Sequence, residues 1–284
     1  MTTLDLIHAD KSSVKYSVVT FPDSQPHIKI DTASLGDDRS VCRIITRISS
    51  PSDLLMALFA KNVLSYEGFE KVELYISYLL TARMDRVMTG GEPFSLKVMA
   101  GIINSAGFSK IKIFDPHSEV TTALLENSYA VTNSAFVADA LKDYQAKTNS
   151  SDTANFCIVS PDAGALKKIY KVAEALNGMQ VVECMKNRDV KTGKLSGFKV
   201  FAESLTGKTC FIIDDICDGG GTFIGVAEEL RKLNAAKVIL IISHGIFSKG
   251  LSLQNVDEIY CTNSYKEIQE DDTHITVMDV EKYL

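Results

Sequence analysis

The 284-residue chain lacks tryptophan, has only six prolines and carries no surplus of positive charge, with 30 basic against 36 acidic residues and a net charge of -6. No apolar run approaches the ~18–20 residues that a membrane span requires. The N-terminal MTTLDLIHADK has no basic segment followed by an apolar one, so it does not read as a secretory signal. The acidic balance argues against nucleic acid or an anionic membrane as a partner held by bulk charge. Six cysteines, at 42, 157, 184, 210, 217 and 261, show neither a CxxC pair nor a Cys/His cluster at zinc spacing. They read as reduced, mostly buried thiols of a cytoplasmic protein. There is no low-complexity tract and no short repeat, and neither the GxxxxGK[ST] nor the GxGxxG phosphate motif occurs.

What is present is ordinary for a globular chain: 45% hydrophobic and 23% charged residues, enough for about two domains. Val- and Ile-rich segments (VKYSVVTF, SVCRIITRI, KVELYISYLL, KIKIFD, ANFCIVS, GMQVVECM, KTCFIID, KVILIISHG) read as buried strands. Amphipathic stretches alternate with them at 52–67, 93–106, from 120 onward, 163–176 and 222–233. Such alternation predicts α/β architecture, two similar domains each with a mostly parallel sheet flanked by helices. The polar run KDYQAKTNSSDT (142–153) places the boundary near residue 145, giving domains 1–145 and 146–284, with the last residues packing back on the first. Lys186 to Gly197 and Met88 to Gly91 read as loops between strands.

The densest chemistry lies in FIIDDICDGGGT (211–222), where a strand ends in two carboxylates and a triple-glycine loop opens a helix. Consecutive glycines let backbone N–H groups face one point, and the helix N-terminus adds its positive dipole end. Thr222 can offer a hydroxyl to the same anion or cap the helix. Asp214 and Asp215 would oppose a bare anion, but suit sugar hydroxyls or a magnesium ion. A phosphorylated sugar has both needs side by side. The bland alternative is a glycine-rich turn with a cap and solvated acids.

This loop resembles the phosphoribosyl-pyrophosphate loop of type I phosphoribosyltransferases and ribose-phosphate pyrophosphokinases, and further segments resemble the pyrophosphokinases alone. These are TFPDSQPHIKI (20–30), TARMDR (81–86) with GEPFSLKVMAGIINSAG, IKIFDPHSE (111–119), IVSPDAGALKK (158–168), MKNR (185–188) and SHGIFSKG (243–250), in family order. The resemblance implies a type I phosphoribosyltransferase-like fold and transfer of the β,γ-diphosphoryl group of ATP to the C1 hydroxyl of ribose 5-phosphate. It implies Lys186 and Arg188 as catalytic cations, and Phe21, Asp23, Gln25, Arg83, Asp85 and His117 as the ATP site, the first three reaching adenine from a neighbouring subunit. Asp214, Asp215, Asp218, Gly219, Gly220, Gly221 and Thr222 would bind ribose and its phosphate. Asp162, Ala163, Gly164 and Ala165 would form the turn that receives the diphosphate. Mg²⁺ would be held by His117, Asp162, Asp214 and Asp215, while His244 orders its own strand end.

The chain departs from that pattern at several points. Gly219 stands where the family loop usually has threonine, which removes a hydroxyl and would open space for a larger acceptor such as ADP-ribose. Asp23 and Gln25 replace the usual Asn or Asp and Glu, and Met84 replaces a common Gln. The short C-terminus and the weak basic character at 88–91 speak for a homodimer rather than an allosteric hexamer. Two other classes stay open at this point: a non-catalytic regulatory relative and a phosphoribosyltransferase.

Overall fold

A computed structural model describes residues 2–149, 153–176, 178–188, 195–269 and 274–284, apart from the side chains of residues 187, 188, 195 and 196. The chain divides into two units, Met1–Thr132 with Glu281–Leu284, and Asn133–Val280.

The first unit contains β1 (Thr2–Asp5), β2 (Tyr16–Thr20), β3 (Pro26–Ile30), β4 (Val41–Ile48), α1 (Pro51–Tyr66), β5 (Lys71–Leu79), α2 (Ser95–Ser105), β6 (Lys110–Phe114), the short α3 (Val120–Leu124) and β7 (Ser128–Val131). Its parallel sheet runs β1-β4-β5-β6-β7. Cys42, Ile44, Leu74, Ile76, Ile111 and Ile113 fill its core. Helix α1 starts abruptly because Ser50 and Asp53 form a reciprocal capping box, closed by Ser50 Oγ accepting from Asp53 N at 3.2 Å, with Pro51 as the first helical residue.

The second unit contains α4 (Ser134–Thr148), β8 (Phe156–Ser160), α5 (Leu166–Ala175), β9 (Val181–Arg188), β10 (Leu195–Val200), β11 (Thr209–Cys217), α6 (Gly221–Lys232), β12 (Lys237–Gly245), β13 (Glu258–Thr262) and β14 (Ile275–Met278). Its sheet order is β10-β9-β8-β11-β12-β13-β14, parallel except for the edge strand β10. Every residue of β8 and eight of the nine in β12 are buried, as expected for strands covered on both faces. All six cysteines are free and buried.

Three sequence expectations change. The division falls after Thr132 rather than near 145, because α4 packs into the second core. Tyr144 stacks edge-on against Phe156 and Phe211, at 5.9 and 5.3 Å between ring centroids, and Asp143 accepts from Tyr260 Oη at 3.0 Å. The amphipathic stretch from Val120 is not one helix: Leu125 is extended and Asn127 is left-handed, which ends α3 and starts β7. The segment VKYSVVTF does not join the parallel sheet but pairs with β3 in a separate antiparallel hairpin.

Candidate functional site

In the second sheet β8 is followed by β9 on one side, and the chain then returns to place β11 on the other. The gap between β8 and β11 is therefore a topological switch point, where the carboxyl ends of parallel strands leave a crevice for ligands. The turn at 161–165 follows β8, and Asp214 to Thr222 close β11 and open α6. The expected residues Asp162, Lys186, Asp214 and Asp215 meet here. Lys186 Nζ forms an ion pair with Asp162 Oδ2. Asp162 also accepts from Ala165 N through Oδ1 at 3.0 Å, which shapes the turn, and an added Cβ on Gly164 would lie 3.2 Å from that oxygen. Burial and the neighbouring Asp215 carboxylate push the Asp214 carboxyl well above the usual carboxylate range; Lys168 draws it down and Asp162 adds to the rise. Asp214 Oδ1 accepts from Asp215 N at 2.9 Å. Three carboxylates and two lysines thus share this end of the sheet.

Lys186 was expected on a loop. It lies instead on β9, whose pairing with the antiparallel β10 continues through Lys186↔Phe198. Val182 and Cys184 of that strand are buried, and the lysine stands on a paired strand rather than on the expected loop from 186 to 197. The side chain of Arg188 lies outside the described residues.

The glycine loop leads straight into the start of α6. Gly220 adopts φ +73°, and an added Cβ would meet Leu253 Cδ2 at 2.4 Å, so both conformation and space demand glycine there. It is the N-cap of α6, and no side chain caps that helix. Thr222 is thus inside the first turn rather than a cap, leaving its hydroxyl for a ligand, next to backbone N–H groups that a helix start leaves without intrahelical partners. Beneath the loop, burial drives the Cys217 thiol up to about 12, with the Asp214 and Asp218 charges adding to it. The segment after β12 clamps the loop: Ile246 N and Phe247 N donate to Cys217 O at 2.9 and 3.1 Å, and Ser248 N to Asp218 O at 3.1 Å. That clamp places Lys249 beside Gly219, where an added Cβ would lie 3.4 Å from Cε, 3.5 Å from Cδ and 3.8 Å from Cγ. The space expected to be open at Gly219 is therefore bordered by the lysine stem at van der Waals distance. His244 is buried and shares a hydrogen bond through Nδ1 with Ser264 Oγ at 2.7 Å, as a strand-end ordering residue does.

The remaining expected residues lie in the first unit. Adjacent parallel strands β5 and β6 bring residues 81–86 and 115–118 to the same sheet end. Asp85 is buried, and the Arg86 guanidinium, donating through Nε at 2.9 Å and Nη2 at 3.2 Å, holds its carboxyl below the usual range; His117 contributes in the same direction. Arg83 and His117 are exposed. Phe21, Asp23 and Gln25 share the tip of the β2–β3 hairpin, where Phe21 N donates to Gln25 O at 2.9 Å and Gln25 Nε2 to Asp23 Oδ2 at 2.9 Å.

Two features escaped the sequence reading. Lys168 charges the Asp214 environment from the first turns of α5. Its signal was a lysine pair at the start of a helix, against the dipole and so in need of anions. The second is a trio, Asp5, His8 and Glu281, whose potential ligand atoms lie within 4.8 Å of one another. Glu281 there pairs with His8 and accepts from Lys11 Nζ at 3.0 Å, which fastens the last four residues into the first unit. None of the expected metal residues belongs to it.

Comparison with known proteins follows the same division. Residues 130–281 match the family model described as phosphoribosyl transferase domain. The ribose-phosphate pyrophosphokinase of Pyrococcus furiosus is 30% identical over 251 residues, covering 86% of this chain and 84% of that protein. Those of Pyrococcus abyssi and Thermococcus kodakarensis are each 28% identical, over 88% and 92% of this chain and 84% and 89% of their own. The crystal structure of phosphoribosylpyrophosphate synthetase from Mycobacterium smegmatis shares the fold, with a TM-score of 0.80 at 20% identity over 99% of this chain and 96% of that one.

Proposed function

The chain belongs to the ribose-phosphate pyrophosphokinase family, and from that premise we propose how its own residues carry the family reaction. The reaction transfers the β,γ-diphosphoryl group of ATP to the C1 hydroxyl of ribose 5-phosphate, giving phosphoribosyl pyrophosphate and AMP. The observation that carries the assignment of residues is the meeting of Lys186, Asp162, Asp214 and Asp215 at the switch point beside the glycine loop.

Diphosphoryl transfer asks the protein mainly for alignment and for charge placed where it builds up. The C1 oxygen bonds to the β-phosphorus while the bridging oxygen leaves with AMP. Asp214 and Asp215 hold the ribose hydroxyls and orient C1. Asp218, Gly219, Gly220, Gly221 and Thr222 hold the 5-phosphate. The turn Asp162-Ala163-Gly164-Ala165 receives the diphosphate, and Lys186 exchanges its Asp162 partner for the transferring group. Arg188 completes the cationic pair. Arg83 contacts the ATP phosphates, with His117 and the Arg86-paired Asp85 completing the ATP site, and the hairpin tip of Phe21, Asp23 and Gln25 takes adenine across a subunit contact of a homodimer or larger homo-oligomer. Exposure of Val18, Val19 and Phe21, at 52, 49 and 46%, supports that contact.

Asp162, Asp214 and Asp215 are the carboxylates at the switch point that would offer oxygen ligands to Mg²⁺, a hard cation, although among the described residues their oxygens do not gather within 4.8 Å of one another. Bound Mg²⁺ supplies neutralisation of the phosphate oxygens that Lys186 alone cannot. Burial and the Asp215 carboxylate raise the Asp214 carboxyl, and a cation beside it would favour its ionised form. No helix among the described residues is long and apolar enough to cross a membrane.

The test is AMP release from ATP and Mg²⁺ with ribose 5-phosphate or ADP-ribose as acceptor. We expect ribose 5-phosphate to lead by about ten-fold or more in kcat/KM. A lead for ADP-ribose would reassign the acceptor. Absence of AMP with either would leave a regulatory relative or a phosphoribosyltransferase.

A further inference from the structure

The phosphate loop poses an electrostatic problem that its own residues do not solve. From Asp214 to Thr222 it contains three carboxylates and no cation, yet the acceptor phosphate assigned to it is a dianion at neutral pH. Helix α6 contributes only its dipole end, about half a charge. The threonine that the family loop carries at position 219 is missing as well. The cation nearest this gap comes from elsewhere in the chain: Lys249, whose Cε lies 3.4 Å from where a Cβ of residue 219 would be, with Nζ one bond beyond.

We propose that Lys249 is a specificity-determining residue of the acceptor site, its ammonium group taking the place of the missing threonine hydroxyl and holding the terminal 5-phosphate of the acceptor. The inference rests on the phosphate-loop role given above. Three observations make the position a built one. The backbone before Lys249 is hydrogen-bonded to the phosphate loop at Cys217 O and Asp218 O, so the lysine is delivered with the loop and not merely near it. Leu253, four residues on, packs against Gly220 and fixes the other side of the same segment. The stem of Lys249 lies in van der Waals contact with the place of a Cβ at 219, at 3.4 to 3.8 Å, so the larger side chain of a threonine there would have to share that space with it, and Gly219 and Lys249 are read as one exchangeable pair: a hydroxyl from the loop, or an ammonium from the neighbouring segment. An ammonium favours a terminal phosphate with two charges over an internal diphosphate linkage with one charge per phosphorus. The exchange therefore selects ribose 5-phosphate against acceptors extended beyond that phosphate.

Lys249 is exposed, so replacing it leaves folding intact, and melting temperatures within a degree or so of wild type check that. In Lys249→Met the stem is retained and the charge lost. We expect KM for ribose 5-phosphate, and its Kd by calorimetry without ATP, to rise about ten-fold or more while KM for ATP changes less than about two-fold. Lys249→Arg should recover most of the loss. Gly219→Thr should weaken ribose 5-phosphate binding in the wild-type background and strengthen it in Lys249→Gly, a reversal of sign that a double-mutant cycle reads directly. An unchanged Kd in Lys249→Met, an equal rise in KM for ATP, or strictly additive effects of the two substitutions would overturn the assignment. An equal loss of ADP-ribose and ribose 5-phosphate affinity would overturn the selectivity. Wild-type protein that binds ribose 5-phosphate through Lys249 but releases no AMP would sink the functional reading and leave this one standing; active protein indifferent to Lys249→Met would do the reverse.

Discussion

Lys186 Nζ is ion-paired with Asp162 Oδ2 across the carboxyl ends of neighbouring strands β9 and β8. The pair thus joins the cation proposed for the transfer to a carboxylate of the turn proposed to receive the diphosphate. Both groups are only about a quarter exposed, the side chains at 25 and 22%, so the pair is partly shielded from water.

Removing that charge should act on the transition state. Lys186→Ala is expected to lower kcat by about 10²-fold or more while KM for ATP shifts only a few-fold, the pattern for a group needed as charge develops. Steady-state AMP release measures both, and an unaltered kcat would take Lys186 out of the mechanism.

Gly220 faces two separate demands, a left-handed backbone and 2.4 Å to Leu253 Cδ2. Gly220→Ala should therefore destabilise the chain by about 1–3 kcal/mol and weaken ribose 5-phosphate binding. Adding Leu253→Ala relieves the collision and not the backbone strain, so it should recover only part of the binding. Full recovery in the double variant would mean that the left-handed conformation costs nothing here.

The Asp85–Arg86 pair predicts an acid limb of stability. Asp85 is held below its ordinary value in the folded state, so its contribution is fully present above the unfolded-state pKa of about 4 and is lost as pH falls through the lower folded value. Arg86 is 68% exposed in its side chain, which limits the effect to under about 1 kcal/mol. Arg86→Ala should lower Tm slightly at pH 7, with the gap to wild type closing towards pH ~3 as the carboxylate protonates in both. A gap that persists undiminished at low pH would assign the loss to packing instead.

The thiols should be silent. All six cysteines are buried, and Cys42, Cys184 and Cys217 are pushed up to about 12 by burial. A thiol reagent at neutral pH is expected to modify essentially none in the folded protein and all six after denaturation. Rapid labelling of Cys217 in the native state would show that the phosphate loop opens far more readily than its hydrogen bonds imply.

The strands and the glycine loop were legible because their signals are local. Runs such as VILII announce a strand buried on both faces, and DDICDGGGT carries its anion chemistry in consecutive residues. The domain boundary was not legible: KDYQAKTNSSDT looks like a polar seam, but Tyr144 within it finds Phe156 and Phe211, a contact that no composition window contains. The chain order of MKNR also concealed that Lys186 stands on a strand, because the antiparallel partner that makes it one begins only after residue 194.

The sequence by itself determined the fold class, the family and the chemical type of each site residue, since these depend on side-chain chemistry and short-range periodicity. The tertiary structure decided which charges meet. Lys186 reaches Asp162 because β8 and β9 are neighbours, and Asp214 is crowded by Asp162 and Lys168 because β11 returns to the opposite side of β8. Gly219, read along the chain as an opening, is lined by a lysine thirty positions away. Electrostatics falls off with distance in space and takes no account of distance along the chain, so these relationships exist only once the sheet order is set.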